Sequence, residues 1–401
     1  MDPAVVTLCV LAVACFLFVT ELIPLAVTAM AACTALGILG VLPSKQVYAG
    51  LSNSTVVLFG GMFVIGAAMF RTGLAQAIGV AVVKKAGTNE VPLMGAVMLV
   101  TIVLSSVSSN TGTVACLMPV IIGICQAAKI APSRQLMPLA IAANVGGTIT
   151  MIGTPPNVIV TGALSAAGLP TFGFFEFAYI GIPLSIIVFF FTLFIGRHLL
   201  PKNDIGEMDE EALKEAAEEA GAGGDDEPKS ATKMWISGLI MIGVVICMAL
   251  DLKTLPLQTA AVTGAILCVI TGCLKEKEAY AGIDWVTIFL FAGMLSVATA
   301  MEKTGAGKLI ADAVVGSMGE HPNAVVLCAV LYLISNVLTQ FMSNTAAAAL
   351  LAPIGISIAQ SIGADPKPVL MAIGIAASMA FATPMATPPN TLVLGPEIGR
   401  A

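Results

Sequence analysis

Charge is what this chain has least of. Only 10% of its 401 residues are Asp, Glu, Lys or Arg, where a soluble domain carries about 25%. That deficit excludes an ordinary water-soluble fold, and no nucleic-acid partner is expected. Histidine is nearly missing as well: His198 and His321 fall at span ends or loops and make no metal cluster. The nine cysteines lie mostly inside apolar runs and lack paired loop spacing, so neither disulfides nor a metal site are expected. There is no His/Cys/Asp cluster, activated serine pair or nucleotide loop, which argues against a membrane-embedded enzyme. A signal peptide is not expected either: Asp2 stands in place of a basic start, and the first apolar run leads into Glu21-Leu22-Ile23-Pro24 without a small-residue cleavage site.

What is abundant is apolar sequence. Hydrophobic residues make up 58% of the chain and the mean hydropathy is +0.98. Apolar runs of about 17–25 residues, the length that crosses a bilayer, recur throughout. The pattern predicts an all-α polytopic membrane protein; a β-barrel would alternate over short segments. The net charge of −6 says little about partners, because 11 of the 24 acidic residues fall between Asp204 and Glu227.

Four polar, helix-breaking motifs interrupt this sequence, in two matched pairs. Ser109-Asn110-Thr111 recurs 234 positions later as Ser343-Asn344-Thr345, and Thr154-Pro155-Pro156-Asn157 recurs as Thr387-Pro388-Pro389-Asn390. Tyr48-Ala49-Gly50 matches Tyr280-Ala281-Gly282, Pro24 matches Pro256, and Arg71-Thr72-Gly73 matches Lys303-Thr304-Gly305, all at an offset of 232. Random apolar sequence does not hold register over such distances, so the chain reads as an internal duplication.

Each repeat is expected to carry simple spans, a re-entrant hairpin and a broken helix. In the first, spans are predicted near residues 4–19, 24–41 and 55–70, an amphipathic piece near 74–83, a hairpin over 91–125, a broken span that enters over 135–152 and stops at Gly153-Thr154-Pro155-Pro156-Asn157, and a closing span over 177–199. Two short ordinary spans are the alternative to the hairpin. The second repeat predicts spans near 234–250, 257–273 and 286–301, a hairpin near 324–362 and a broken span near 368–394. It has no counterpart of the closing span, so the chain is expected to be short by one helix. The resulting domains are 1–90 and 91–200 (scaffold and transport parts of repeat 1), 201–233 (acidic linker, with a short helix over 210–220), and 234–320 and 321–401 (scaffold and transport parts of repeat 2). Five crossings in the first repeat would invert the second. On that topology 13 of the 18 Lys and Arg residues share one face. This face is expected to be cytoplasmic, putting the linker inside and the N-terminus outside.

Inverted repeats with discontinuous helices point to a secondary transporter. A helix restarting in mid-membrane offers unpaired N–H groups and partial positive charge. The Asn110 and Asn344 amides, with the Thr111 and Thr345 hydroxyls, can bind a carboxylate or oxyanion there. Unwound carbonyls and side-chain oxygens suit a hard cation such as Na⁺. Neither tip nor break carries a fixed charge, so an anion site there needs a co-bound cation. The acids Glu21, Asp251 and Asp284 lie at predicted span ends and read as interfacial or structural.

Two Ser-Asn-Thr tips and two Thr-Pro-Pro-Asn breaks resemble the divalent anion:sodium symporter family, whose members carry dicarboxylates, citrate or sulfate across the plasma (inner) membrane. The resemblance implies a homodimer in the lipid bilayer, an elevator motion of a transport domain, and two sodium sites. Carried over by motif, it implies a first sodium at Ser105, Ser109, Asn110 and the Gly153 carbonyl. The second would use Thr339, Asn344 and the carbonyls of Met342 and Ala386. The substrate, most simply a C4-dicarboxylate, would touch Asn110, Thr111, Asn344, Thr345 and Thr387. The oxygen-bearing residues at Ser105 and Thr339 favour sodium-coupled symport over a sodium-independent anion exchanger on the same fold, and the lack of buried acids counts against a cation antiporter.

Overall fold

A computed structural model describes residues 2–87, 89–128, 130–200, 230–250, 254–318, 323–383 and 387–394. Its described residues are helical, without strands. The longer helices are, in order, α1 (Pro3–Thr20), α2 (Leu25–Ile38), α3 (Ser54–Arg71), α4 (Leu74–Ala86), α5 (Glu90–Val107), α6 (Asn110–Ala128), α7 (Ser133–Gly147), α8 (Pro155–Ala166), α9 (Ala178–Leu199), α10 (Ala231–Ala249), α11 (Leu257–Ile270), α12 (Trp285–Thr304), α13 (Ala306–Met318), α14 (Ala324–Leu338), α15 (Asn344–Ser361), α16 (Pro366–Ser378) and α17 (Pro388–Leu394). Among the described residues six helices, α1, α3, α5, α9, α10 and α12, are long and apolar enough to cross a bilayer.

Local chemistry sets several boundaries. Asp2 caps α1 by accepting from the Ala4 N–H at 3.0 Å, with Pro3 at the first helical position, where its missing N–H costs nothing. Glu21 closes α1 in the left-handed region, at φ 50°. Asp284 caps α12 by accepting from the Thr287 N–H at 3.1 Å. Glu21 and Asp284 are thus helix-end residues, while Asp251 lies outside the described residues. The linker lies largely outside them too, over 201–229, and with it the helix expected at 210–220.

Two expectations need correction. The span expected over 24–41 is a helix only from Leu25 to Ile38. More consequentially, the helix expected to run to Ile152 stops at Gly147. A β-carbon on Gly146 would lie 2.6 Å from the Ile102 carbonyl oxygen. The glycines that let α7 press against α5 also weaken it as a helix. Pro155-Pro156 does not end that helix; it begins α8, and Pro388-Pro389 likewise begins α17, as expected of proline in a first turn.

The chain divides into two compact units that interleave in sequence. The first comprises Met1–Gly60, Pro155–Phe172 and Asp284–Ala386. Here α12 packs on α2, and α14, α15 and α16 pack on one another together with α8. A β-carbon on Gly293 would lie 2.7 Å from the Ala29 backbone, so α12 and α2 meet at backbone distance. The second comprises Gly61–Thr154, Gly173–Ile283 and Thr387–Ala401. Within it α5 packs on α7 around Met94, Met98, Ile102, Ala142 and Leu193, and α17 packs on α6 and α7. Each unit therefore holds one Ser-Asn-Thr tip and one half-helix begun by a Pro-Pro pair from the opposite half of the chain.

Candidate functional site

In the second unit α5 ends at Val107 and α6 begins at Asn110, so Ser108 and Ser109 are the whole connection. The first turn of a helix leaves N–H groups without intrahelical acceptors. Ser109 uses two of them: its hydroxyl oxygen accepts from the Gly112 N–H at 3.3 Å and its carbonyl from the Thr113 N–H at 3.0 Å. Ser109 is therefore the capping residue of the tip.

The side chain of Asn110 turns back from this tip toward the break in the other arm. Ser105, fully buried, donates to the Ala143 carbonyl at 2.7 Å and also touches the Asn110 amide oxygen. The inward terminal atom of that amide lies 3.2 Å from the Ala143 carbonyl oxygen and 3.0 Å from that of Gly153. A half-turn of the amide exchanges its oxygen and nitrogen. With nitrogen inward, Asn110 donates to both carbonyls and to Ser105. With oxygen inward, four oxygens face one another with a single hydroxyl proton among them, an arrangement that a cation reconciles. The donor set is hard and uncharged, which suits Na⁺. Gly147 makes room for it: a β-carbon there would lie 2.5 Å from the Asn110 amide oxygen.

One turn along α7, buried Asn144 reaches the other half's break. Its Nδ2 donates to Thr387 Oγ1 at 3.2 Å and to Asn390 Oδ1 at 2.9 Å. Asn144 is absent from the residues expected from sequence. The available signal was an amide amid Ala142, Ala143, Val145 and Gly146, a polar group that a membrane interior retains for a reason.

In the first unit, α14 ends at Leu338 and α15 begins at Asn344. Thr339 is fully buried and donates to the Ala377 carbonyl at 2.9 Å, 234 positions on from the Ser105–Ala143 bond. The amides differ. Asn344 Oδ1 accepts from its own neighbour, the Thr345 N–H at 2.7 Å and hydroxyl at 3.1 Å. The break is instead held by side chains of the hairpin arm. Asn336 donates to the carbonyls of Ala376 at 3.3 Å and Met379 at 3.0 Å. Gln340 accepts from the Ala382 N–H at 3.0 Å through its side chain and from the Thr383 hydroxyl at 2.5 Å through its carbonyl.

Of the residues expected from sequence, the structure gathers Ser105, Asn110 and Gly153 around Ala143, and Asn344 with Thr345. Thr339 and Asn344 are not hydrogen-bonded to each other. Thr111 is half-buried beside Asn110, Met342 is buried, and Ala386 lies outside the described residues. Among the described residues no Asp, Glu, Lys or Arg is buried, and no group of three His, Cys, Asp or Glu side chains occurs.

Comparison with known proteins gives these motifs a context. A family model described as citrate transporter matches residues 15–369. An uncharacterized transporter of Haemophilus influenzae is 30% identical over 97% of this chain and 84% of its own length. The sodium-dependent dicarboxylate transporter SdcS of Staphylococcus saprophyticus is 26% identical over 94% of this chain and 77% of its own. Among solved structures, the YdaH transporter of Alcanivorax borkumensis, described as having an unusual topology, superposes with a TM-score of 0.59 at 15% identity, covering 89% of this chain and 80% of that one.

Proposed function

Because the chain belongs to the citrate transporter family, and is therefore a secondary transporter of the membrane rather than an enzyme, we propose that it is a Na⁺-coupled symporter of a small divalent anion, a C4-dicarboxylate first of all. The observation that carries this reading is the uncharged cluster of Ser105, the Asn110 amide and the Ala143 and Gly153 carbonyls, which presents four oxygens to a cation when the amide turns its oxygen inward. It offers a cation nothing but neutral ligands, so the positive charge it takes up is left to balance an anion. The SdcS relative is named as a sodium-dependent dicarboxylate transporter, which agrees with that chemistry.

Sodium is cargo here, not a resident cofactor. Ser105, Asn110 and the Ala143 and Gly153 carbonyls would hold the first ion, with Ser109 capping the helix beside it. Thr339, Asn344 and the carbonyls of Met342 and Ala386 would hold the second. Thr111, Thr345 and Thr387, with the Asn110 and Asn344 amides, would donate to the anion. The two helix pairs α5–α6 and α14–α15 would be re-entrant hairpins of an inverted repeat in a homodimer working by an elevator motion, with the N-terminus outside and the linker cytoplasmic. The arms of the first pair contain 18 and 19 residues; the Ser-Asn-Thr motif at the join supports a tip inside the bilayer rather than a loop outside it.

Purified protein in liposomes should accumulate labelled succinate only under an inward Na⁺ gradient, with competing citrate and sulfate ranking the substrates. Equal uptake with the gradient abolished, or uptake only in exchange for internal anion, would replace symport with exchange.

A further inference from the structure

We infer that Asn144 sets the direction of the Thr387 hydroxyl, making it a donor to the transported anion; this rests on Thr387 touching that anion, as proposed above. A threonine hydroxyl carries one proton and two acceptor lone pairs. Asn144 Nδ2 donates to Thr387 Oγ1 at 3.2 Å, and that hydroxyl makes no other hydrogen bond among the described residues. With a lone pair engaged, its proton points elsewhere. A carboxylate needs donors only, so a hydroxyl held in this sense is set for an anion and against a cation.

Two further observations support a dedicated role. Asn144 is 1% exposed and its Oδ1 has no hydrogen-bond partner among the described residues. A buried amide oxygen left unpaired is costly, so this orientation is not explained by Asn144 satisfying itself. Its second N–H goes to Asn390 Oδ1 at 2.9 Å, so both partners lie at the start of α17 and fix it against α7. The neighbouring Ala143 carbonyl faces Ser105 and Asn110. Adjacent residues of α7 thus serve the oxygen cluster with backbone and the anion's threonine with side chain.

The test is the initial rate of labelled succinate uptake by the full chain in liposomes, for wild type, Asn144→Ala, Asn144→Ser, Thr387→Ala and the Asn144→Ala/Thr387→Ala double variant. Asn144→Ala should raise KM for succinate roughly tenfold, the value of one hydrogen bond to a charged group. Vmax and the half-saturating Na⁺ concentration should stay within about twofold. Asn144→Ser, which keeps a donor, should fall between wild type and Asn144→Ala. The double variant should be no worse than Thr387→Ala alone, because one residue acts through the other. Additive losses in the double variant, a fall in Vmax at unchanged KM, or wild-type KM in both Asn144 variants would each overturn the inference. Wild-type protein without saturable succinate uptake would instead overturn the dicarboxylate reading, and this inference with it.

Discussion

The two Ser-Asn-Thr tips share a sequence but not a hydrogen-bond pattern. At both, a hydroxyl on the incoming arm anchors a carbonyl of the broken helix: Ser105 to Ala143, Thr339 to Ala377. Beyond that anchor they diverge. Asn110 turns its amide across to the break, whereas Asn344 turns back to Thr345. The neighbours account for this. At the offset of 234, Gly147 is replaced by Phe381, and at Gly147 even a β-carbon would lie 2.5 Å from the Asn110 amide oxygen. Conversely Ile102 and Ser106 are replaced by Asn336 and Gln340, which staple the second break from its own arm. A motif fixes the anchor; the residues packed against it decide what its amide can bind.

The sharpest way to break that contrast is to remove the amides. Asn110→Ala should abolish Na⁺-driven succinate uptake, by two orders of magnitude or more, with the protein still folded, since the proposed sodium ligand and anion donor would be lost together. Asn344→Ala should also abolish it. Normal transport by either would refute its place in the site. Next in size is Gly147→Ala, a single methyl directed at the Asn110 amide. It should raise the half-saturating Na⁺ concentration at least tenfold, and an unchanged sodium dependence would mean that the amide does not need that space. Smaller, and on stability rather than transport, Gln340→Ala removes a side-chain acceptor that the Ala382 N–H uses. It should cost about 1–2 kcal/mol, seen as a lower unfolding temperature in detergent, while Ser106→Ala at the matching position should cost clearly less. Smallest of all is Arg71→Ala. Its ion pair with Glu278, 2.9 Å apart and only partly buried, should contribute under about 1 kcal/mol, with uptake kinetics unchanged.

Much of the fold was legible because long apolar runs, glycine and proline leave strong marks. The first span, the boundaries near Arg71 and both tips fall within a few residues of expectation. The end of α7 did not. Thr148 to Ile152 reads as apolar and continuous with the helix, and nothing local reveals that Gly146 must admit the Ile102 carbonyl. That is a constraint between residues 44 positions apart. The same limit hid Asn144, whose partners Thr387 and Asn390 stand 243 and 246 positions away, and it hid the difference between the two asparagines. Residue identity at a tip is local information; the direction of an amide depends on packing.

The central claim is that the cluster around Asn110 takes up sodium, and ²²Na⁺ binding to the purified protein without substrate tests it most directly. Wild type should bind sodium saturably and Asn110→Ala should lose that first binding event. Undiminished sodium binding by a folded Asn110→Ala variant would contradict the account.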